Sequence, residues 1–260
     1  MIQLRDYQQL IVEGTRASFK RGFTKVLAVA PTGAGKSIIL SYITENSFKK
    51  GTSVLILVHR SELVEQLSSA IKSFNVPHGI ISAGFPQTKF SIQVASVQTL
   101  IRRLDQVDPF DLIIVDEAHH LVAENMWAKV IEKFPNAKLM GLTATPERLD
   151  GRGLGIASDG YFETMIEGPK VKDLIDRGYL SKYKLFAPPV NIDLEGMKTQ
   201  MGDYSKTELN ERVNKNTITG DAVEHYIKLC PNAKGIVFCV SVEHSKKVAK
   251  EFCDKGIIAA

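Results

Sequence analysis

Ala30-Pro31-Thr32-Gly33-Ala34-Gly35-Lys36-Ser37 closes an apolar run, residues 25–30 (KVLAVA), and precedes Ile38, Ile39, Tyr42 and Ile43 at helical spacing. Strand, glycine-rich loop and helix in that order set a helix N-terminus, with its backbone N–H groups, in front of an anion. The residues must be small because side chains would fill the space through which amides approach a phosphate. Thr32, Gly33, Ala34 and Gly35 form the cradle. Lys36 is placed to reach the β- and γ-phosphates of a nucleoside triphosphate, and the Ser37 hydroxyl to ligate Mg²⁺. Ala30 stands where the usual pattern has its first glycine.

A second stretch completes this reading. Asp111-Leu112-Ile113-Ile114-Val115-Asp116-Glu117-Ala118-His119 is an apolar run that ends in two carboxylates, as expected of a buried strand delivering acids to a phosphate site. On its own, an Asp-Glu pair after a strand is more often a solvated strand end. After a phosphate loop it makes an ATP site. Asp116 is expected in the magnesium shell, Glu117 is expected to polarise the attacking water, and Lys36, Asp116 and Glu117 are the candidate catalytic set. ATP and Mg²⁺ are the implied cofactors.

Composition bounds the rest. The chain has 260 residues, 44% hydrophobic and 24% charged, with a net charge of +4. That suits one large domain or two small ones, and it permits a nucleic-acid partner without requiring one. Cys230, Cys239 and Cys253 are dispersed, with neither zinc-site nor disulfide-framework spacing, so a reduced, cytoplasmic compartment is expected. No charged-then-apolar N-terminal segment is present, and no apolar run reaches the length of a membrane span, so no membrane association is expected.

Short apolar runs recur at 53–58 (SVLILV), 91–95 (SIQVA), 112–115 (LIIV) and 138–142 (KLMGL). Leu63, Val64, Leu67, Ala70, Ile71 and Phe74 mark an amphipathic helix between two of them. Helix after strand, repeated, implies crossover connections and an α/β fold with a parallel sheet covered on both faces. From residue 150 the texture becomes polar and irregular, with a linking helix over 171–177. An αβα pattern follows: a helix over 219–229, a buried strand over 235–240 (GIVFCV) and an amphipathic helix over 243–252, with residues 257–260 opening another strand. The expected organisation is a first domain over 1–165, a connector over 166–204, and the start of a second domain over 205–260.

Taken together, these motifs resemble superfamily 2 helicases and translocases of the DEAD/DEAH class, nearest the RadD-like branch of bacterial and phage DNA-repair helicases. The resemblance implies a RecA-like fold, with a second, partial RecA-like domain. Arg5-Asp6-Tyr7-Gln8 resembles the adenine-recognition motif, which implies that Arg5 and Gln8 contact the base. Residues 57–60 (LVHR) and 61–66 (SELVEQ) resemble motif Ia, with Ser61 capping a helix and Arg60 adding a phosphate contact. Residues 94–100 (VASVQTL) resemble motif Ib, which implies phosphate contacts from Ser96, Gln98 and Thr99. Thr143-Ala144-Thr145 resembles motif III, whose hydroxyls are expected to bond the carboxylates near His119, the coupling residue of motif II. Adjacent histidines project in different directions, so His119 and His120 are not expected to share a metal, and His120 has no assigned role. Residues 235–246 resemble motif IV.

The departure from the family lies at the end. A complete member supplies motifs V and VI, with an arginine that reaches the γ-phosphate. The sequence stops one strand after motif IV, and Arg212 precedes the second domain's first strand. Either the chain is a piece of a longer helicase, which the apolar ending at 256–260 favours, or a partner chain supplies the missing motifs. The reading is an ATP-dependent DNA helicase or translocase motor, weak in hydrolysis. The alternatives are an ATP- and nucleic-acid-binding module with negligible hydrolysis, or an RNA helicase.

Overall fold

The computed structural model describes residues 2–148, 151–186, 199–200, 203–204 and 216–260. The chain divides into two compact units, Met1–Lys182 and Tyr183–Ala260. Arg212, Asp150 and most of the low-apolar stretch over 191–206 lie outside the described residues.

The first unit is an α/β fold of the RecA-like kind. In chain order it runs α1 (Asp6–Lys20), β1 (Lys25–Val29), α2 (Lys36–Lys49), β2 (Val54–Val58), α3 (Ser61–Lys72), β3 (Gly79–Ile81), β4 (Ile92–Ser96), α4 (Val97–Leu100), β5 (Leu112–Asp116), α5 (Met126–Lys133), β6 (Lys138–Thr143), β7 (Thr164–Glu167) and α6 (Val171–Asp176). The seven strands form one sheet in the order β3-β4-β2-β5-β6-β1-β7, and every pairing is parallel.

Both faces of that sheet are buried, which explains why its strands read as unbroken apolar runs. Val54, Ile56 and Val58 point to one face with Ile39 and Leu40 of α2 and Val64, Leu67 and Ile71 of α3. Leu55 and Leu57 alternate to the other, with Leu100, Trp127, Val130 and Phe162. Gly141 lies in β6 where the second layer presses closest. A Cβ there would fall 2.3 Å from Phe162 Cζ and 2.8 Å from Ala118 Cβ.

Two strands of this sheet escaped the sequence reading. β3 has three residues, and β7 buries only alternate residues in part, so neither carries a continuous apolar run. β7 pairs with β1, and Leu174 of α6 is fully buried in the first core layer. The first unit therefore extends to Lys182, past the boundary expected at 165, and the linking helix belongs to it.

In the second unit, α7 (Asn216–Leu229) and α8 (Val242–Asp254) pack through Val223, Val248 and Phe252. Ser241 caps α8 by accepting from the His244 N–H at 3.1 Å. A two-residue antiparallel pair, β8 (Thr199–Gln200) and β9 (Asp203–Tyr204), precedes them. The strands expected over 235–240 and 257–260 are not formed. Residues 235–239 make no ladder, and Ile236 and Phe238 are 84% and 93% exposed. Apolar content favours burial, but a strand also needs a neighbour to satisfy its backbone, and none is present among the described residues.

Candidate functional site

The candidate residues of the first unit gather at the carboxyl ends of the sheet strands, where open parallel sheets bind ligands. The loop after β1 carries Thr32 to Gly35, the turn after β2 carries Arg60, and the turn after β5 carries Glu117. Ser96 ends β4 and Thr143 ends β6.

Gly33 and Gly35 both take φ of +82°, the left-handed region that side chains disfavour. A Cβ on Gly33 would lie 2.8 Å from Leu180 Cδ2, and one on Gly35 would lie 2.5 Å from Gln8 Nε2. The glycines are thus required by conformation, and a side chain at either would also displace the end of Leu180 or Gln8. Ala34 is buried, and its carbonyl accepts from Tyr7 OH at 3.0 Å and Gln8 Nε2 at 2.9 Å. These two bonds tie α1 to the phosphate loop. Lys36 and Ser37 open the fourteen-residue α2, so their amides have no intrahelical acceptor and face the loop's concavity. The loop thus retains the shape and donors that a phosphate requires.

Lys36 Nζ lies 3.5 Å from Glu117 Oε1. Glu117 adopts φ 54° and ψ 57°, a left-handed conformation with an expected cost of about 1–2 kcal/mol for a residue with a Cβ. That bend turns the chain out of β5 directly after Asp116. Burial, and next the charge of Glu117, push the Asp116 carboxyl up to about 6, although Lys36 pulls the other way. A cation arriving beside Asp116 would favour its ionised form.

Behind Glu117 stands His119, whose Nδ1 is 3.5 Å from Glu117 Oε2 and 3.0 Å from Thr143 Oγ1. The Thr143 hydroxyl donates to the Thr145 carbonyl at 2.9 Å and accepts from the Thr145 N–H at 3.2 Å. Its single proton is therefore committed, and the His119 contact requires a proton on Nδ1. The motif III expectation is corrected here: Thr143 bonds the histidine rather than a carboxylate. Thr145 contributes its backbone, and its side chain is exposed. Thr143 is fully buried, so its hydroxyl needs such partners, and the nearest donor is the ring.

Gln8 is 4% exposed, and its Oε1 also accepts from the Arg5 N–H at 3.0 Å. The Arg5 guanidinium lies 4.8 Å from the Tyr179 ring centroid, and Tyr179 meets Tyr7 edge-on at 5.3 Å. Arg177 pairs with Asp6 and lies over Tyr179 as well. The sequence reading missed Tyr179 and Leu180, because they follow α6, far along the chain from the Tyr7 ring and the loop glycine they respectively approach.

At the end of β2 the cap is Arg60, and Ser61 is the first helical residue of α3, which corrects the expected capping role of Ser61. Arg60 offers no acceptor to the first turn. The amides there are free of side-chain caps, beside an exposed guanidinium. Ser96 is 3% exposed and donates to Gln98 Oε1 at 2.9 Å, so it holds Gln98 rather than facing outward; Gln98 and Thr99 are half-buried.

Residues 1–148 match the family model described as "Type III restriction enzyme, res subunit". The chain belongs to that family. The res-subunit match covers the loop, the paired carboxylates and the His119–Thr143 contact, and it bears out the superfamily 2 helicase resemblance. The narrower RadD-like resemblance rests on the sequence motifs alone. Among similar proteins, a 51.5 kDa protein of a Lactococcus phage is 36% identical over 230 residues, 88% of this chain and 47% of its own length. DNA 3'-5' translocase XPB2 of Sulfurisphaera tokodaii is 32% identical over 77% of this chain and 43% of its own length. The chain spans less than half of these curated relatives. The ATP-dependent Type ISP restriction-modification enzyme LlaBIII, solved bound to DNA, shares the fold with a TM-score of 0.64 at 18% identity, over 97% of this chain and 21% of its own. No helix among the described residues is long and apolar enough to cross a membrane.

Proposed function

We propose that this chain is the motor portion of an ATP-dependent DNA helicase or translocase, which hydrolyses ATP by attack of water on the γ-phosphate. The observation that carries this reading is the convergence of Lys36 and Glu117, 3.5 Å apart and from separate strand ends, beside the buried carboxyl of Asp116.

In this reading the amides of the loop and Lys36 hold the phosphates. Ser37 and Asp116 would hold Mg²⁺, whose charge, when bound, neutralises phosphate oxygens. Magnesium in such sites is bound through one or two carboxylates together with substrate phosphates. A dedicated cluster of three protein ligands is not needed, and none occurs among the described residues. Glu117 orients and deprotonates the water, and His119 steadies its second oxygen. Gln8 retains one amide proton and one lone pair after its bonds to Ala34 and Arg5, enough for a bidentate contact with the edge of adenine. Tyr179 and Arg5 offer that base a flat, cationic neighbour.

Arg60, the α3 amides with Ser61, and Gln98 and Thr99 would meet phosphates of a nucleic-acid strand. DNA is preferred to RNA because XPB2 is named a DNA translocase and LlaBIII was solved on DNA. A cytoplasmic setting and a DNA-repair role remain part of the proposal, as does a second RecA-like domain beginning near residue 205. The test is one titration of Mg·ATP binding and hydrolysis against single-stranded DNA, duplex DNA and RNA. Hydrolysis that DNA raises more than RNA does is the expected result. Binding without turnover would make the chain a binding module, and no nucleotide binding would overturn the reading.

A further inference from the structure

Beyond His119, the rings of His59, His120 and Trp127 have no part in the proposed phosphate chemistry, yet they form one continuous aromatic cluster. β2 and β5 lie side by side with Leu57 opposite Val115, so the residues just past each strand, His59 and Glu117, leave adjacent strand ends. The His59 ring stacks on that of His120 at 4.5 Å and 22°. Both lie nearly parallel to the Trp127 indole, at 6.3 Å and 6.2 Å. The indole is buried, and its helix is fixed by Asn125, whose Oδ1 accepts from the Trp127 N–H at 2.9 Å and whose Nδ2 donates to the His120 carbonyl at 2.8 Å. On the other side, the His120 ring lies 4.3 Å from that of His119, which contacts Glu117.

Burial holds both His59 and His120 below the ordinary histidine value, so near neutral pH they meet as uncharged rings. His59 Nδ1 is buried without a hydrogen-bond partner among the described residues. An unpaired buried polar atom opposes stability, so packing against His120 and Trp127 must offset its cost. Close-packed faces do not absorb displacement, and a shift of the His59 backbone must be passed to His120.

We infer that His59 and His120 are positioning residues, a stacked pair through which a phosphate held at Arg60 and Ser61 sets the placement of Glu117. The inference rests on the proposed ATPase reading. A phosphate on the uncapped first turn of α3 fixes the peptide between His59 and Arg60. The stack carries that constraint to the 3-10 turn after β5, and His119 delivers it to the carboxylate.

The experiment compares DNA-stimulated and basal ATP hydrolysis in His59→Ala, His120→Ala and the double variant of the full chain. Stimulation is expected to fall about 5–10-fold in each single variant, with basal rate, KM for ATP and DNA affinity unchanged. The double variant is expected to lose no more than either single one, because the two rings act as a unit. His120→Phe, which keeps a flat ring, is expected to restore stimulation. His120→Leu, which keeps volume without a flat face, is expected to fail, and it carries the test if the alanine variants do not fold. Additive losses, or equal losses of basal and stimulated rates that Phe does not restore, overturn the inference. Intact stimulation in the Ala and Leu variants overturns the inference alone. A parent chain that hydrolyses ATP without response to DNA overturns the nucleic-acid reading and this inference with it.

Discussion

Residues 54–58 and 235–239 are written in nearly the same apolar alphabet, and they end in opposite states. The first stretch, β2, is paired on both sides by β4 and β5 and is buried throughout. The second forms no ladder, and Phe238 is 93% exposed. The difference lies in the neighbours. A parallel strand is stable when adjacent strands take up its N–H and C=O groups and helices cover its faces, and composition supplies only the second condition. The first unit meets both conditions, and its sheet thereby aims five loops at one edge.

The contrast can be broken most forcefully by truncating one large apolar side chain in each stretch. Ile56→Ala is expected to cost about 2–5 kcal/mol, because Ile56 is fully buried between two helical layers. Phe238→Ala is expected to change stability by less than about 0.5 kcal/mol. Urea unfolding measures both. Similar losses at the two sites would mean that residue 238 is packed in solution and that the units do not differ in this way.

The second prediction concerns the carboxyl at the first unit's strand ends. Asp116 has its carboxyl raised from 3.8 to about 6, so the fold favours its protonated form. This contribution is present below about pH 4 and is lost as pH rises through about 6. At pH 7.5 the ionised carboxylate therefore opposes folding by about 3 kcal/mol. Asp116→Asn should raise metal-free stability at pH 7.5 by up to that amount, with the gain vanishing toward pH 4. Mg²⁺ with nucleotide should stabilise the parent more than the variant, which keeps the phosphate loop but loses a magnesium ligand. His120 slopes the other way: burial lowers it from 6.5 to about 4, so its contribution is present above 6.5 and is lost as pH falls toward 4. Melts of Asp116→Asn across this window should therefore show stability falling on acidification.

A smaller effect is expected from a glycine pair. Gly141→Ala drives a methyl against Phe162 and Ala118, and should cost about 1–3 kcal/mol. Gly235→Ala meets nothing nearer than Tyr226 at 3.8 Å, an ordinary contact, and should be close to neutral. Comparable losses would again put residue 235 in a packed layer.

These pairs also show what the sequence made legible. The phosphate loop, the paired carboxylates and five of the seven sheet strands could be read, because burial on both faces writes them as continuous apolar runs. β3 and β7 could not, since three residues, or four half-exposed ones, leave no run to detect. Residues 235–240 misled for the converse reason, having the composition of a strand without its neighbours. The partners of Thr143, the inward turn of Ser96 and the contacts of Tyr179 depend on which strand ends lie together. So does the stack of His59 on His120, which follows from β2 lying next to β5. Strand order is invisible to periodicity. The one-residue error at the α3 cap came from assigning it to Ser61 by residue type, when the chain turns at Arg60.

Glu117→Gln tests most directly the proposal that the first unit's edge is a water-activating ATP site. The amide keeps the shape of the side chain and loses its capacity as a base. With Mg·ATP and saturating DNA, the variant is expected to bind nucleotide as the parent does while its turnover drops by at least about 100-fold, the scale of removing a positioned base. Hydrolysis by Glu117→Gln at the parent rate would contradict the assignment.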